Sequence, residues 1–316
     1  MRRISTLIAA SLALASLASA QELPSPMKIV VTFPAGGTAD VLGRLVADQI
    51  GKVGGPSVVV DNRPGANSII GNEFAARAAP DGGTMLLVAN SFLITSLLRK
   101  LPYDPIGSYE PVCALVDSPL VIAVGASSPF KTLDDFLNAA KAKPGAVSTA
   151  AIGPATAQRV AVELLKKSAG VDVNFVPYPS NALAINALLG GEVASVTVNI
   201  ADIGAMVADG RARILATLSP KRIEGWPDIP TAREGGHDVA YAAWFGLVAP
   251  AKTPPAVLDK LSALVTKAME QPELRARLKP LEFYPSVACG AKFGEFLRGE
   301  NEATGRIVSE ADIKME

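Results

Sequence analysis

Residues 32–44 read TFPAGGTADVLGR, and they join a short apolar run to a helical pattern through a proline and two glycines. The preceding run, KIVVTF at 28–33, predicts a β-strand, and the apolar spacing over 41–50 predicts a helix. The first turn of such a helix leaves backbone amides unpaired at the positive end of its dipole, where an anion can bind. Gly36 and Gly37 would let a ligand approach these amides closely, although an ordinary turn also uses glycine there.

The alternation of apolar strands and amphipathic helices continues along the chain. Glycine-bounded strands separated by such helices indicate parallel sheets covered on both faces. A chain of 316 residues with 49% hydrophobic residues is long enough for two modest cores. We therefore predict an α/β protein of two lobes, each a mainly parallel sheet flanked by helices. Further strands are predicted at 57–61, 84–90, 120–126, 147–151, 173–178, 193–199 and 213–219.

The order of these segments predicts a discontinuous first lobe. Residues 21–124 and 245–316 are assigned to lobe 1, and residues 125–244 to lobe 2. The Pro-rich stretch WPDIPTAREGGHD at 226–238 precedes the return to lobe 1. The chain would therefore cross between the lobes twice.

The N-terminal residues 1–20, MRRISTLIAASLALASLASA, carry two arginines, a short apolar run and a small-residue end. This pattern predicts a secretory signal peptide cleaved after Ala20. A membrane anchor is the alternative, but the run is rich in alanine and serine and is short for a bilayer span. We expect a periplasmic protein.

Removing that peptide lowers the count of basic residues from 30 to 28 against 30 acidic residues. Such a chain has no electrostatic attraction for nucleic acid or anionic membranes. Cys113 and Cys289 remain in an oxidising compartment, where they form either one disulfide or two separately buried thiols.

Residues for catalysis or metal binding are scarce. His237 is the only histidine and has no serine or cysteine beside it in sequence. The chain lacks a His/Cys cluster with metal-ligand spacing, and its glycines do not follow the dinucleotide or P-loop patterns. We expect no metal, no cofactor and no enzymatic activity. An exported hydrolase that uses His237 through long-range proximity is the open alternative.

A second strand-to-helix junction, AAIGPATAQR at 150–159, resembles the first junction. Two such junctions, one per lobe, would let a cleft close on one anion from both sides. The segments at 176–182 and 198–200 end predicted strands, on the side where open α/β sheets bind ligands. Each polar residue there, taken singly, could equally be a loop residue or a helix cap. The candidate hydrogen-bonding side chains are Tyr178, Ser180, Asn181 and Asn199.

Taken in order, these segments resemble the Bug-type family, the periplasmic solute-binding receptors of tripartite tricarboxylate transporters. The resemblance covers essentially the whole chain after the N-terminal peptide, and it rests on an ordered set in which no single motif is decisive. The segments are FPAGGTADVLGRL, VVVDNRPGANSIIGNEFAARAAPDGGTMLL, LPYDPIGSYEPV, AKPGAVSTAAIG, VELLKKSAGVDVNFVPY, LLGGEVASV, LATLSPKRIEGWPDIPTARE and WFGLVAPAKTPPAVLDKL.

The resemblance implies a type II-like periplasmic-binding-protein fold that closes like a flytrap over a small organic carboxylate. It implies that main-chain amides and water hold the carboxylate, and that membrane permease subunits receive it. A monomer without nucleic-acid partners is expected. By position, the implied ligand-binding residues are Phe33, Pro34, Ala35, Gly36, Gly37, Thr38, Asp40, Gly153, Ala155, Thr156, Pro177, Tyr178, Ser180, Asn181 and Asn199.

Three departures from the family pattern make the implied site more apolar. The second-lobe loop, which usually reads like S-A-G-N-G-S, is AIGPAT at 151–156, and Pro154 has no amide hydrogen. Pro179 stands where relatives commonly have a lysine, and Val198 stands where an aspartate commonly precedes the asparagine. We therefore expect a ligand with a sizeable hydrophobic part, such as an aromatic or longer-chain carboxylate. A sensory receptor that docks on a signalling kinase is the alternative to a transport receptor.

Overall fold

The computed structural model describes residues 22–314, so the predicted signal peptide at 1–20 lies outside the described residues. The strands are β1 (Met27–Val31), β2 (Val58–Asn62), β3 (Thr84–Ala89), β4 (Tyr109–Ser118), β5 (Leu120–Gly125), β6 (Ser148–Ile152), β7 (Asn174–Tyr178), β8 (Ser195–Asn199), β9 (Ala212–Thr217), β10 (Ala243–Pro250) and β11 (Tyr284–Cys289). The helices are α1 (Thr38–Lys52), α2 (Ile69–Ala76), α3 (Asn90–Leu98), α4 (Leu133–Ala142), α5 (Ala157–Ala169), α6 (Asn181–Leu189), α7 (Ile200–Ala208), α8 (Pro255–Met269), α9 (Pro272–Leu278) and α10 (Ala291–Glu310), with a 3-10 turn at Lys279–Leu281. Within residues 22–314, no helix combines the length and the apolar character that crossing a membrane requires.

The strands form two sheets, one in each lobe. The first sheet has the strand order β11-β4-β10-β3-β1-β2, and the second has the order β7-β6-β8-β5-β9. Helices cover both faces of each sheet, which confirms the predicted two-lobed α/β fold. The sheets are mixed rather than mainly parallel, because only β1 with β2 and β3, and β6 with β7 and β8, form parallel pairs.

The antiparallel pairs have a topological cause. Parallel neighbours in one sheet need a crossover connection, usually a helix. Strand β5 follows β4 directly from the other sheet, and β10 follows a segment without a helix at 218–242. Neither strand enters its sheet through a helical crossover, and both run antiparallel to their neighbours, β5 to β8 and β9, and β10 to β3 and β4.

Each sheet is buried on both faces by alternating side chains. Along β1, Ile29 and Val31 enter the core beneath α1 and α8, whereas Val30 enters the core that includes Phe92 and Phe293. The residues of β5 divide in the same way between the cores beneath α4 and α5 and beneath α6 and α7. Two-sided burial explains why these strands read as nearly continuous apolar runs in the sequence.

The pairing of β5 changes the lobe boundary that the sequence analysis expected. Residues 120–124 were assigned to lobe 1, but β5 hydrogen-bonds in the second sheet. Residues 243–244 were assigned to lobe 2, but they begin β10 in the first sheet. We therefore propose that the first crossing lies at Pro119 and the second between β9 and β10.

Helix α10 makes a third connection between the lobes. Near its start, Phe293 and Leu297 pack in the first-sheet core, and near its end Ile307 packs against the second-sheet core. Glu310 forms an ion pair with Lys167 of α5. The last helix, which the sequence analysis placed wholly in lobe 1, therefore contacts both lobes.

The two cysteines form a disulfide between neighbouring strands of the first sheet. Cys113 of β4 lies opposite Cys289 of β11 in the strand register, and a bond joins their sulfur atoms. This bond settles the two alternatives that the sequence left open. It ties the edge strand β11, which is 176 residues away along the chain, to the sheet interior.

Replacing both cysteines by alanine should lower the free energy of unfolding by about 2–5 kcal/mol, because the cross-link restricts a long loop of the unfolded chain. Denaturant unfolding of the wild type and of Cys113→Ala/Cys289→Ala measures the difference. A reductant should bring the wild type close to the variant and leave the variant unchanged. Two free thiols in the unreduced, unfolded wild type would show that the bond does not form.

Candidate functional site

The first-lobe junction is an exposed turn between β1 and α1. Residues 34–38 are all exposed, whereas Ala39 and Asp40 of the first helical turn are buried. Gly36 has a φ of 82°, which glycine adopts without strain. Gly37 precedes the helix with extended backbone angles, φ −79° and ψ 170°. The sequence therefore places this turn at the carboxyl end of a buried strand, open to solvent.

The buried carboxylate of Asp40 holds this turn from behind. It accepts hydrogen bonds from Gly36 N at 2.9 Å, Asn62 Nδ2 at 2.9 Å and Arg44 Nε at 3.0 Å. Asn62 also donates to the carbonyl of Phe33 at 3.2 Å. The hydrogen bond from Arg44 is the largest cause that lowers the pKa of Asp40 to about 2, and burial opposes it. Asp40 is therefore an ionised structural anchor of the turn.

Backbone amides at the start of α1 remain free of side-chain partners. No side chain among residues 22–314 caps the helix, and Gly37 N makes only a long contact of 3.4 Å with Pro34 O. The amides of Thr38, Ala39 and Asp40 are the first-turn donors that have no carbonyl partner within a helix. An anion near Gly37 can accept hydrogen bonds from these amides at the positive end of the helix dipole.

The helices that follow the other two parallel strands of the first sheet begin in the same way. Helix α2 follows β2 and α3 follows β3, and neither has a side-chain cap among the described residues. Because β1 lies between β2 and β3 and parallel to both, the three helix starts share one edge of the sheet. Three uncapped helix N-termini at one edge favour negative charge there.

The turn before α2 supports the first-lobe junction and was not singled out from the sequence. Ala66, Asn67 and Ser68 have φ values of 48°, 53° and 72°, which non-glycine residues rarely adopt. The buried hydroxyl of Ser68 accepts a hydrogen bond of 3.0 Å from Thr32 Oγ1, at the base of the β1–α1 turn. The signal in the sequence was the turn-forming run Pro-Gly-Ala-Asn-Ser.

The second-lobe junction satisfies more of its own polar groups. Thr156 caps α5, because its hydroxyl accepts a hydrogen bond from Arg159 N at 3.3 Å. The same hydroxyl lies 3.0 Å from the carbonyls of Ile152 and Gly153, and Gly153 N donates to Tyr178 O at 3.4 Å. Ala155 is packed in the second-sheet core. This junction therefore offers fewer free donors than the first.

Polar side chains of the predicted cleft wall form hydrogen bonds within the second lobe. Ser180 caps α6 by accepting a hydrogen bond from Leu183 N at 3.3 Å. Asn181 Nδ2 donates to the Asp202 carboxylate at 2.6 Å, and burial raises the pKa of Asp202. Tyr178 is partly buried against the second-sheet core, whereas Pro177 is exposed. The exposed part of this wall is mainly apolar.

Asn199, at the end of β8, connects the second-lobe junction to the first interlobe crossing. Its Oδ1 accepts a hydrogen bond from Gln158 Nε2 at 2.8 Å, and its Nδ2 donates to Ser118 Oγ at 2.8 Å. Ser118 is the last residue of β4 and is fully buried. Asn199 is expected at the site from the sequence, but Gln158 and Ser118 are not, because only the fold brings these three residues together.

The candidate residues form two groups, one on each sheet. In the second lobe, parallel pairing puts Ile152 beside Tyr178, and Gln158 links that junction to Asn199. In the first lobe, the candidate residues lie on the single turn between β1 and α1. Within residues 22–314, no hydrogen bond joins the two groups directly. They occupy the carboxyl ends of parallel strands in separate sheets, the usual position for a ligand cleft.

The structure offers no support for catalysis at His237. Among the described residues, the ring of His237 bonds to Asp134 at 3.3 Å and to no serine or cysteine. Residues 22–314 also contain no cluster of side chains that could hold a metal ion. The polar groups at the two junctions are suited to recognition.

Comparison with known proteins identifies the family. Residues 42–313 match the family described as "Tripartite tricarboxylate transporter family receptor". Three solved structures are similar to the chain over most of its length. They are the periplasmic binding protein BugD (28% identity, TM-score 0.78, 92% of this chain and 98% of that one), Rpa4515 of R. palustris with adipate (26%, 0.81, 92% and 98%) and MatC of Rhodopseudomonas palustris with bound malate (27%, 0.75, 89% and 98%).

The family match and the structural similarity confirm the resemblance seen in the ordered sequence segments. The match covers the second sheet with its junction and the first sheet from β2 onward, whereas β1 and the β1–α1 turn precede residue 42. The chain therefore belongs to the tripartite tricarboxylate transporter receptor family, which is a family of solute-binding receptors rather than enzymes.

Proposed function

We propose that this protein captures a small organic carboxylate between its two lobes in the periplasm and delivers it to a membrane permease of the tripartite tricarboxylate type. The observation that carries the proposal is the edge of the first sheet, where α1, α2 and α3 all begin without a side-chain cap among residues 22–314. Unpaired amides at three helix starts favour an anion at this edge.

The first lobe is the side that we expect to hold the carboxylate. Gly37 and Thr38 are exposed, and no side chain among residues 22–314 caps the start of α1. Backbone amides and bound water can hold a carboxylate without a salt bridge. The proposed contacts are those named from the sequence over Phe33–Thr38, with Asp40 acting behind the turn.

The second lobe would complete the site when the lobes close. Its exposed surface near the junction includes Pro177 and part of Tyr178, which pairs with Ile152 where the chain leaves β6 toward α5. A ligand stabilises closure only through contacts that it makes to both lobes. The remaining candidates, Gly153, Ala155, Thr156, Ser180, Asn181 and Asn199, stay proposals for this wall.

The chemistry of the second lobe favours a ligand with an apolar part. The hydroxyls of Thr156 and Ser180 already serve as helix caps, and Pro154 cannot donate. One similar structure was solved with adipate and another with malate. Adipate has the longer methylene chain and is therefore the more apolar of the two acids. An apolar wall would prefer the longer or aromatic acid, because burial of its hydrocarbon part is favourable.

The remaining features of the proposal concern export and assembly. Export would use residues 1–20 as a signal peptide, with cleavage after Ala20. We propose that the exported protein acts as a monomer, without a cofactor and without turnover of its ligand.

Gly37→Val should abolish carboxylate binding and leave the fold intact. The backbone angles of Gly37 suit a branched residue, and an added Cβ would meet only Pro34 O, at 3.4 Å. The larger side chain would then obstruct the approach of a carboxylate to the amides of α1. Isothermal titration calorimetry measures binding, and circular dichroism checks the fold.

Gly51→Val is the matched control, because it adds the same side chain near the far end of α1, where an added Cβ meets nothing within 4 Å. This control should bind as the wild type does. Unchanged affinity in Gly37→Val would remove the first-lobe turn from the site.

Among small acids, those with a hydrophobic part should raise the thermal stability of the protein most. A suitable panel is malate, aspartate, adipate, benzoate and octanoate. Binding to the folded state alone raises the apparent stability by about 2.7 kcal/mol when the free acid is at 100 times its dissociation constant. A thermal-shift assay followed by calorimetry ranks the panel.

Two results of this screen would count against the proposal. If malate or aspartate stabilised the protein more than every other acid, the apolar ligand class would be wrong. If no carboxylate from the panel or from a larger acid library bound, the carboxylate-binding function itself would be wrong.

A further inference from the structure

A buried carboxylate lies inside the turn that is proposed to bind an anion. Asp40 is 3% exposed and belongs to the first turn of α1, beside the amides assigned to the ligand. An uncompensated negative charge at this position would repel a carboxylate ligand, and a low local dielectric strengthens the repulsion. Asp40 must therefore serve the site in another way, and its negative charge must be neutralised by a neighbouring group.

The hydrogen bonds of Asp40 show how its side chain serves the site. Its Oδ2 accepts the amide of Gly36, which lies four residues earlier and has a positive φ. Its Oδ1 accepts one amide proton of Asn62, whose other proton is donated to the Phe33 carbonyl. The turn is thus tied at both ends to side chains behind it. This arrangement consumes the Gly36 amide and leaves the amides from Gly37 onward for another partner.

Arg44 supplies the neutralising charge. Its Nε lies 3.0 Å from Asp40 Oδ2, and its Nη2 donates to Asn62 Oδ1 at 3.2 Å. The side chain of Arg44 is 55% exposed, so its removal leaves no large void. The carboxylate on β2, Asp61, has its own partners in Lys28 and Arg63.

We propose that Asp40 and Asn62 are positioning residues that shape the anion-binding turn, and that Arg44 is the counter-charge that keeps this turn from repelling the ligand. None of the three contacts the ligand in this arrangement. The proposal rests on the proposed function and assigns Asp40 a different role from the direct contact that the sequence suggested. It explains how a site without a ligand-binding cation tolerates a buried anion.

The first test needs no ligand. The Gly36 amide resonance of the protein, followed by nuclear magnetic resonance, reports the hydrogen bond to Asp40. Asp40→Ala should move this resonance upfield and speed its exchange with water, whereas Asp40→Asn should largely retain it, because the amide oxygen of asparagine can still accept. An unchanged Gly36 resonance in Asp40→Ala would overturn the positioning role.

The second test measures the counter-charge with the tightest-binding acid of the panel of malate, aspartate, adipate, benzoate and octanoate. Arg44→Ala should weaken binding at least about tenfold, because it leaves the charge of Asp40 uncompensated beside the ligand. Asp40→Asn/Arg44→Ala removes both charges and should bind at least about threefold more tightly than Arg44→Ala. Arg44→Lys, which keeps the charge, should stay within about threefold of the wild type.

Salt and a matched control separate charge from structure. The weakening in Arg44→Ala should shrink in part between about 0.1 M and 1 M salt, because the Debye length falls from about 10 Å to about 3 Å while the buried charge of Asp40 is screened less than an exposed one. Arg77→Ala removes an exposed cation from another i,i+4 ion pair in the same lobe, with Glu73, and should bind as the wild type does.

The outcomes distinguish this proposal from the proposed function. Wild-type affinity in Arg44→Ala, or no recovery in the double variant, would overturn the counter-charge role while carboxylate binding stands. If the wild type bound no acid of the panel or of the larger acid library, the proposed function would fail, and the Gly36 resonance would still decide the positioning role of Asp40.

Discussion

The hydrogen bond from Gly36 to the buried carboxylate of Asp40 shapes the turn on which the proposed binding depends. A tight turn between a buried strand and a helix needs its own polar groups satisfied, and here a side chain one helical turn away satisfies one of them. Asn62 holds the other end of the turn through Phe33 O. The amides of Gly37 and Thr38, which are exposed residues, remain available to donate hydrogen bonds to solvent or to an anion.

The two lobes differ in how many of their helices begin with a side-chain cap. At the corresponding edge of the second sheet, α5 and α6 begin with side-chain caps from Thr156 and Ser180, whereas α7 begins after Asn199 without one among the described residues. In the first lobe, α1, α2 and α3 have no such cap among residues 22–314. Because a capped helix start has fewer free amide donors, the first lobe is better suited to bind an anion. A closing second lobe would then contribute shape and apolar surface more than charge.

The ligand edge of each sheet also holds an interlobe crossing. Asn199, the last residue of β8, donates a hydrogen bond to Ser118, the last residue before the first crossing. In the first lobe, Asn90 at the start of α3 accepts a hydrogen bond from Trp244 N at 2.9 Å and donates to Ala242 O at 3.2 Å, which secures the second crossing. One asparagine beside each proposed binding surface thus anchors the chain where it passes between lobes. The proposed lobe closure and the proposed ligand contacts therefore involve the same part of the structure.

Local patterns in the sequence determined the βα units, the two glycine-containing junctions and the position of the candidate residues at the carboxyl ends of strands. These features depend on near neighbours, so periodicity and turn residues reveal them. The fold alone decided that β5 pairs in the second sheet, that Cys113 bonds to Cys289, and that Asp40 and Asn199 serve as internal anchors. Each of these depends on a partner that is distant in sequence, 22 residues for Asp40 with Asn62 and 81 for Asn199 with Ser118. A one-dimensional pattern shows which side chains can form hydrogen bonds, but only the packed chain determines which partners they meet.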